Sequence, residues 1–377
     1  MILPRRGRAP APARPRGSSD AMKQRSDPDP DARDSAREQR LLEYFRGLPK
    51  VELHIHLEGA VPLACVWDLI RKYGGDPGVP DLESLAGRFR YRDFAAFLDT
   101  WAWKNGFFRT GEDFTRIAAA VAADLAAQSI LYAELFYSPQ SYASRGLGAQ
   151  EITLAVRRGL DQVPAIEIAL VTDLVRDLGA RSGREAVEAV SEVREAGRVV
   201  GIGIGGSEHR FPPEPYAPVF ARARELGFRT TAHAGEACGP ESVWGALRAL
   251  RVERLGHATR AAEDPALLDH LAAERIALEL CVISNLRTGV VPSAERHPAR
   301  RYFERGIPLS VNTDDPLMFG NSLAEEYLLL HRALGFSLDE IHALIDSAVA
   351  ASWLPDARKS ALGERIRQGM ARCPRPE

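Results

Sequence analysis

Eight short runs of apolar and β-branched residues, separated by stretches with helical periodicity, constrain this chain more than any other feature. The runs are 51–57, 130–137, 166–171, 199–205, 229–235, 252–258, 276–282 and 307–313. The helical period of 3.6 residues recurs over 113–128, 149–162, 183–197, 214–226, 240–250, 264–273 and 294–305. Strands that are apolar on both faces and alternate with helices indicate a parallel sheet with helices outside. Eight such units predict an α/β fold, the closed (β/α)8 TIM barrel.

Two regions interrupt this alternation. The stretch 58–129 has a helical pattern, so it predicts an elaborated first βα connection over the barrel mouth. Within it, FAAFLDTWAWKNGFF (94–108) is a candidate lid with Phe94, Phe97 and Trp101 at helical spacing, although ordinary helix packing explains that spacing equally well. The stretch 322–370 predicts two or three extra C-terminal helices.

The N-terminal residues have a different composition from the rest of the chain. Residues 1–40 are rich in Arg, Pro, Ala and Ser, and residues 1–20 contain almost no large apolar side chains. Such a segment buries too little surface to offset its ordering entropy, so we predict a disordered extension. No apolar stretch follows Arg5 and Arg6, which argues against an export signal, and Met22 is an alternative start. We expect residues 41–377 to form a single barrel domain.

Charge and cysteine usage exclude several classes of protein. The net charge is −2 with no basic block, which argues against a nucleic-acid partner. No run approaches the length of a membrane span. The cysteines are widely spaced without a CxxC pair, so we expect neither a disulfide scaffold nor a cysteine zinc site, and a cytoplasmic location. The oligomeric state is left open.

Metal-binding side chains follow several predicted strands, at the barrel end where active sites lie. His54 and His56 are two residues apart, so both point to one face of strand 1. An isolated pair of this kind is equally typical of core packing, but His233 after strand 5 and Asp314 after strand 8 add a third nitrogen and an oxygen. Three imidazoles and a carboxylate suit zinc. No lysine ends a middle strand, which favours one metal ion per chain over two.

Three further residues are candidates for proton transfer or substrate binding. Glu236 is either a first-turn acid of the next helix or the donor of a proton to a substrate nitrogen. His257 is either structural or the group that aligns or deprotonates a metal-bound water. Asp315 either hydrogen-bonds its own loop or accepts from a substrate amine or ring nitrogen.

The other histidines and a glycine-rich segment carry weaker predictions. His209 follows that segment and is left open as a substrate contact. Glycines 203, 205 and 206 lack the spacing of a phosphate-binding loop and instead allow a ligand to approach the backbone. The histidines that we expect at the surface or in ordinary packing are His270, His297, His331 and His342.

Five segments, LPKVELHIHLEGA, TAHAGE, RLGHA, ISNLRTG and VNTDDP, lie in this order over residues 47–330. Together they resemble the adenosine/adenine deaminase family of zinc-dependent purine aminohydrolases. The resemblance implies one zinc ion held by His54, His56, His233 and Asp314. It implies that Glu236 protonates purine N1 and that His257 orients and helps to deprotonate the water. The substrate-binding candidates are Asp315 at N7, the backbone of Gly206 at N3, Glu58 and His56.

The implied reaction is hydrolytic deamination at purine C6, with adenosine as the first substrate and with adenine or aminodeoxyfutalosine as alternatives. Glu58 stands where adenosine-specific members usually carry Asp, and GIGGSE replaces the DLAGDE type, so the substrate stays open. Ala258 and Val282 replace the usual Gly and Pro and affect packing. A different amidohydrolase is disfavoured by the HAGE segment and the lysine positions. A catalytically inactive binding relative is disfavoured because every metal and proton-transfer residue is present.

Overall fold

The strands form one barrel in the part of the chain that the computed structural model describes, residues 30–91 and 94–376. All neighbouring pairs are parallel, in the order β1 to β8. Strands β1 and β8 meet through a bridge between Ile55 and Asp314, and the His56 N–H donates to the Asp314 carbonyl at 2.9 Å. The predicted (β/α)8 fold is therefore confirmed. The strands are β1 Lys50–His56, β2 Ile130–Tyr137, β3 Glu167–Val175, β4 Val199–Gly205, β5 Arg229–Ala234, β6 Arg254–His257, β7 Ala277–Leu280 and β8 Leu309–Val311.

Helices fill every connection, and short 3-10 turns and one π-helical turn, Ala246–Leu250, flank several of them. Among the described residues, the first connection contains five helices, α2 to α6. Four helices, α15 to α18, follow β8, and three of them lie within 322–370, where the periodicity predicted two or three. The helices are α1 Pro30–Gly47, α2 Leu57–Ala60, α3 Leu63–Lys72, α4 Leu82–Arg88, α5 Phe94–Asn105, α6 Gly111–Ala127, α7 Ala149–Leu160, α8 Gly179–Glu192, α9 Arg194–Gly197, α10 Ala217–Glu225, α11 Pro240–Gly245, α12 Pro265–Ala273, α13 Val282–Arg287, α14 Ala299–Glu304, α15 Pro316–Phe319, α16 Leu323–Ala333, α17 Leu338–Ala351 and α18 Asp356–Met370. No helix in these described ranges has the length and hydrophobicity that a membrane span requires.

The N-terminal segment differs from the sequence expectation. Residues 1–29, including the alternative start at Met22, lie outside the described residues. Residues 30–40, which the composition assigned to the disordered extension, belong to helix α1. The C-terminal half of this helix is anchored by buried Leu41, Tyr44 and Phe45, and the Phe45 ring lies 6.0 Å from that of Tyr327 in α16. A helix that is fixed at one end extends by one hydrogen bond per residue, so the upstream turns need no apolar side chains. The division into an extension and one domain stays a prediction.

A charged cluster lies inside the barrel, below its mouth. Arg254 on β6 forms ion pairs with Glu134 on β2 at 2.6 Å and with Glu279 on β7 at 2.7 Å. Its guanidinium lies 3.6 Å from the ring centroid of Trp353, beyond α17. All three charged side chains are almost fully buried. Buried charges persist only when they are paired, so this cluster fixes the mutual positions of three strands and supports the residues above it.

The two substitutions that the sequence assigned to packing have local structural consequences. Val282 is the first residue of α13, where proline is common because no helical partner needs its N–H. Here the Val282 N–H donates to the Glu326 carboxylate at 3.1 Å, a bond that proline could not make. Ala258 has a φ of +50°, in the left-handed region that favours glycine. The alanine therefore holds a strained backbone directly after His257.

Candidate metal centre

Four side chains bring their free donor atoms to one point at the barrel mouth. His54 and His56 come from β1, His233 from β5, and Asp314 lies three residues beyond β8. The His56 Nε2 atom is 3.3 Å from Nε2 of His54, 3.2 Å from Nε2 of His233 and 3.3 Å from Oδ1 of Asp314. Donors bound tetrahedrally to zinc at about 2.0–2.1 Å lie about 3.3 Å apart. The four predicted ligands therefore have the spacing of a zinc site.

Three of these ligands are fixed by a hydrogen bond to the atom that does not face the shared point. His54 Nδ1 donates to Oε2 of Glu279 at 2.8 Å, and His233 Nδ1 donates to the Ile204 carbonyl at 3.0 Å. Asp314 Oδ2 accepts from the Ser284 hydroxyl at 2.6 Å. These bonds leave the Nε2 lone pairs directed at one another, an arrangement that is repulsive unless a cation lies between them. The donor set thus fits a divalent metal ion.

Two glycines permit the close packing of this centre. A Cβ atom on Gly256 would lie 2.7 Å from Cε1 of His54. A Cβ atom on Gly59 would lie 1.8 Å from Oδ1 of Asp315. Any larger residue at either position would displace a site side chain, which gives a physical reason for the glycines of the RLGHA and HLEGA segments.

Glu236 and His257 face each other beside the metal ligands. Oε2 of Glu236 lies 3.7 Å from Nε2 of His257, whose ring centroid is 5.1 Å from that of His54. Burial and the negative charge of Asp314 raise the pKa of Glu236 to about 8. Burial lowers the pKa of His257 to about 4. At neutral pH a protonated carboxyl group and a neutral imidazole therefore stand together, and Glu236 has a proton to donate.

The loop that carries Glu236 is held by a residue that the sequence reasoning missed. The buried Glu208 carboxylate accepts backbone N–H bonds from Gly235 at 2.6 Å, Ala237 at 2.7 Å and Cys238 at 3.0 Å, and a longer one from Glu236 at 3.2 Å. Glu208 is the acid of the GIGGSE segment, whose pattern drew attention only to its glycines. The signal that could have identified Glu208 was its position as an acidic residue shortly after a glycine-rich strand end.

Three buried carboxylates lie on the other side of the centre, and each has an oxygen without a hydrogen-bond partner among the described residues. These atoms are Oε2 of Glu58, Oδ1 of Asp173 and Oδ1 of Asp315. Glu58 and Asp315 were predicted to bind substrate, whereas Asp173 was not. Asp173 lies on β3, with Oδ2 3.9 Å from Nδ1 of His56. Asp173 is the charged residue in the buried interior of the strand EIALVTDLV, and this position was the signal for it.

Helix α5 brings an unexpected cation to the same side. The fully buried Lys104 ammonium donates to the Glu58 carbonyl and to Oδ1 of Asn105, and lies 4.6 Å from the Trp101 ring centroid. Burial lowers the pKa of Lys104 to about 8. The Phe97 ring stacks on Phe319 at 5.4 Å, so α5 covers residues that follow β8. The side chain of Phe94 lies outside the described residues, and the role of α5 as a lid stays a prediction.

An open cavity of about 680 Å³ lies beside Phe97 and Phe319. Aromatic and aliphatic side chains dominate its walls, and two exposed arginines stand at its edge. Its lining residues include Leu63, Phe89, Arg90, Tyr91, Arg287 and Met318.

The remaining predicted residues lie outside the donor cluster. Gly206, the residue after β4, is exposed with a φ of +93°, and its backbone contact with a substrate stays a prediction. His209 is exposed in a turn. His342 bonds the Tyr44 hydroxyl at 2.7 Å, and His331 bonds the Phe336 carbonyl at 2.6 Å, as expected of packing residues. His297 is buried and is hydrogen-bonded to Asn285.

A (β/α)8 barrel with histidine and carboxylate ligands at its strand ends is the architecture of a metal-dependent hydrolase. The profile of the adenosine deaminase family matches residues 49–369. This chain belongs to the adenosine deaminase family.

Relatives and solved structures reduce the number of candidate activities. An adenine deaminase from Albidiferax ferrireducens is 34% identical over 332 residues, covering 87% of this chain and 96% of that protein. An aminodeoxyfutalosine deaminase from Streptomyces avermitilis is 36% identical over 340 residues, covering 89% and 94%. The crystal structure of adenine deaminase from Arthrobacter aurescens has a TM-score of 0.80 at 29% identity, covering 85% and 98%. A Zn-bound amidohydrolase from Burkholderia ambifaria has a TM-score of 0.74 at 26% identity, covering 88% and 94%.

These comparisons support deamination of a purine and a divalent metal ion. They favour adenine or aminodeoxyfutalosine over adenosine, the substrate that the sequence placed first.

Proposed function

We propose that this chain is a zinc-dependent aminohydrolase that converts a 6-aminopurine and water into a 6-oxopurine and ammonia, with adenine as the first candidate substrate. The observation that carries the proposal is the donor cluster of His54, His56, His233 and Asp314 beside Glu236, a carboxyl group whose pKa is raised by burial. The names of the relatives support the choice of adenine over adenosine.

The metal-binding residues define where the reaction takes place. A bound zinc ion would supply Lewis acidity and would lower the pKa of a water molecule toward 7. His54 donates a hydrogen bond to Glu279, and His233 donates one to the Ile204 carbonyl, so both rings are oriented before any metal binds. The site is therefore pre-organised, which lowers the cost of reorganisation during the reaction.

Glu236 and His257 handle the protons. Attack of the water oxygen at purine C6 moves an electron pair of the ring onto N1, which must gain a proton. The raised pKa of Glu236 makes this carboxyl group the donor. His257, across from it, contacts the attacking oxygen. The hydroxyl proton of the tetrahedral intermediate passes to the amino group, which leaves as ammonia, and the 6-oxopurine remains. Glu236 regains its proton from solvent.

The carboxylates of the opposite side select the substrate. Free adenine carries a ring N–H at its imidazole edge, which a nucleoside has replaced by the glycosidic bond. Glu58 and Asp315 each offer a buried carboxylate oxygen that lacks a partner among the described residues. Hydrogen bonds to such charged groups are worth about 1.5–3 kcal/mol, so a ligand with N–H donors is favoured there.

A second candidate substrate is supported by the cavity beside Phe97. This cavity has a volume of about 680 Å³ and is lined mainly by aromatic and aliphatic side chains, including Met318 and Phe319 of the segment that follows Asp315. Arg90 and Arg287 would attract an anionic group at its edge. A larger adenine nucleoside such as aminodeoxyfutalosine fits this description and is the substrate named for the Streptomyces relative.

A substrate panel on zinc-loaded protein tests the proposal. Adenine, adenosine and aminodeoxyfutalosine are compared by the ultraviolet shift on deamination and by ammonia release. We expect the highest kcat/KM for adenine, and a metal-loaded Glu236→Gln variant is the matched control. A preference for aminodeoxyfutalosine would replace adenine by the second candidate. Failure of the wild-type enzyme to convert any of the three would refute the proposed function.

A further inference from the structure

A chain of hydrogen bonds leads from the backbone of α14 to His257. At its outer end the Ala299 N–H donates to Nδ1 of His297 at 3.2 Å. A backbone N–H can only donate, so Nδ1 of His297 carries a lone pair and the ring proton lies on Nε2. His297 is only 3% exposed, and burial keeps this ring uncharged by lowering its pKa to about 3.

The fixed ring of His297 sets the orientation of the next group. Its Nε2 lies 3.3 Å from Oδ1 of Asn285, and Nδ2 of Asn285 lies 3.1 Å from Nδ1 of His257. The protonated Nε2 needs an acceptor, so it faces the amide oxygen, and the amide nitrogen therefore donates to His257. It follows that Nδ1 of His257 accepts and that its ring proton lies on Nε2, facing Oε2 of Glu236.

We propose that Asn285 and His297 are positioning residues that hold His257 in the Nε2–H tautomer, so that His257 donates a hydrogen bond to the attacking water instead of accepting its proton. The role toward water rests on the proposed function. The tautomer itself rests only on the geometry from Ala299 to His257. The family resemblance gave His257 two roles, orientation and deprotonation of the water. With the proton on Nε2, His257 keeps the first role and loses the second.

The consequence concerns the direction of the water molecule. A donor at Nε2 occupies one lone pair of the attacking oxygen. If a metal ion holds a second lone pair, the oxygen keeps a further lone pair for purine C6 only after it has lost a proton. A bound metal ion would supply the Lewis acidity for this deprotonation, and the proton would pass to solvent. The opposite tautomer would present a lone pair at Nε2 and would turn the water around.

The tautomer can be measured directly. Zinc-loaded protein labelled with 15N-histidine gives long-range proton–nitrogen spectra that identify the protonated nitrogen of each ring, and loss of signals in His257→Gln assigns His257. We expect Nε2–H for both His257 and His297 at neutral pH. A proton on Nδ1 of His257 would overturn the proposal. This measurement needs no substrate, so it is independent of the proposed function.

Substitution of Asn285 tests the consequence for turnover. In Asn285→Asp an accepting oxygen replaces the donating Nδ2, so the proton of His257 should move to Nδ1. A wrong histidine tautomer costs a serine protease about 10⁴-fold in kcat. We expect a loss of at least about 100-fold in kcat, with KM changed by less than about threefold and zinc retained. Wild-type kcat together with a moved proton would contradict the role assigned to the tautomer.

A pair of variants at His297 separates positioning from simple packing. His297→Leu removes the donor and should lower kcat, because the Asn285 amide is then free to turn. His297→Gln restores an N–H near the same place and should recover part of that loss. His342→Gln, which removes a distant packing histidine bonded to Tyr44, should leave kcat and the His257 spectrum unchanged. Equal losses in His297→Leu and His297→Gln would indicate a packing role and contradict the proposal.

Discussion

The two sides of the barrel mouth differ in how completely their polar atoms are paired. On the metal side, His54, His233 and Asp314 each have a hydrogen bond that fixes the atom turned away from the shared point. On the substrate side, Glu58, Asp173 and Asp315 each have a buried oxygen with no hydrogen-bond partner among the described residues.

This difference shows which part of the site the protein completes by itself. On the metal side, the barrel fixes four donor atoms in positions that suit a cation. The substrate side retains acceptors whose desolvation is uncompensated, and burial raises the pKa of Asp173 to about 6 and that of Asp315 to about 7. Donor groups of a ligand would satisfy these oxygens, so binding energy is concentrated where the ligand must be recognised.

Removal of a metal ligand should have the largest effect. Loss of a residue that only hydrogen-bonds a metal ligand weakens metal binding by about 10–100-fold. In Asp314→Ala the ligand itself is lost, so we expect a larger decrease in metal affinity. The purified variant should therefore contain no stoichiometric zinc by elemental analysis and should not turn over purines. The neighbouring Asp315→Asn is the control and should keep its zinc. Stoichiometric zinc in Asp314→Ala would contradict its assignment as a ligand.

Loss of the proton donor should reduce turnover without affecting the metal. Glu236→Gln keeps the shape of the side chain but removes the transferable proton. We expect kcat to fall by about 10²–10⁴-fold, the usual contribution of a general acid, while elemental analysis shows the zinc content of the wild type. Normal kcat in this variant would remove Glu236 from the role of donor.

Weakening the hydrogen bond that supports a metal ligand should have a smaller effect than removing the ligand or the proton donor. Glu279→Gln weakens the acceptor for His54 Nδ1, so we expect metal affinity to fall by about 10–100-fold in competition with a chelator. Glu134→Gln is the matched control, because it also removes an ion pair of Arg254 but does not touch His54. Both variants should lose thermal stability, since each leaves Arg254 partly unpaired. An equal loss of metal affinity in both would show that the effect is one of stability.

Substitution of a carboxylate on the substrate side should have the smallest effect. Glu58→Gln replaces a charged acceptor by a neutral amide and should raise KM for adenine about tenfold, in line with the loss of a charged hydrogen bond. Zinc content should be unchanged, and steady-state kinetics on metal-loaded protein provide the measurement. If Glu58→Gln lost its metal instead, the division between the two sides would be wrong.

Local patterns revealed the fold and most of the metal side. The period of two placed His54 and His56 on one face of β1, and the strand ends placed His233 and Asp314 at the barrel mouth. The resemblance to the deaminase family supplied roles for Glu236 and Asp315. These features depend on spacing within a few residues or on the general rule that active sites lie at the carboxyl ends of barrel strands.

The residues that escaped prediction act over long distances in the sequence. Glu279 reaches His54 across 225 positions, and Arg254 reaches Glu134 across 120. Lys104 belongs to a helix whose place over the mouth depends on how the first connection folds back. A charged residue within an apolar run, such as Glu279, marks a buried partner but does not identify it.

The sequence by itself therefore determined the barrel, its elaborated first connection and the four donor residues, because strand alternation and strand ends are local properties. Only the tertiary structure decided which charges pair inside the barrel, which carboxylate oxygens stay without a partner, and which nitrogen of His257 carries the proton. The physical reason is closure of the sheet. The stagger between neighbouring strands sets which side chains share a layer. Hydrogen bonds between those side chains then fix the positions of their protons. Because the partners are far apart in the sequence, spacing along the chain does not predict these bonds.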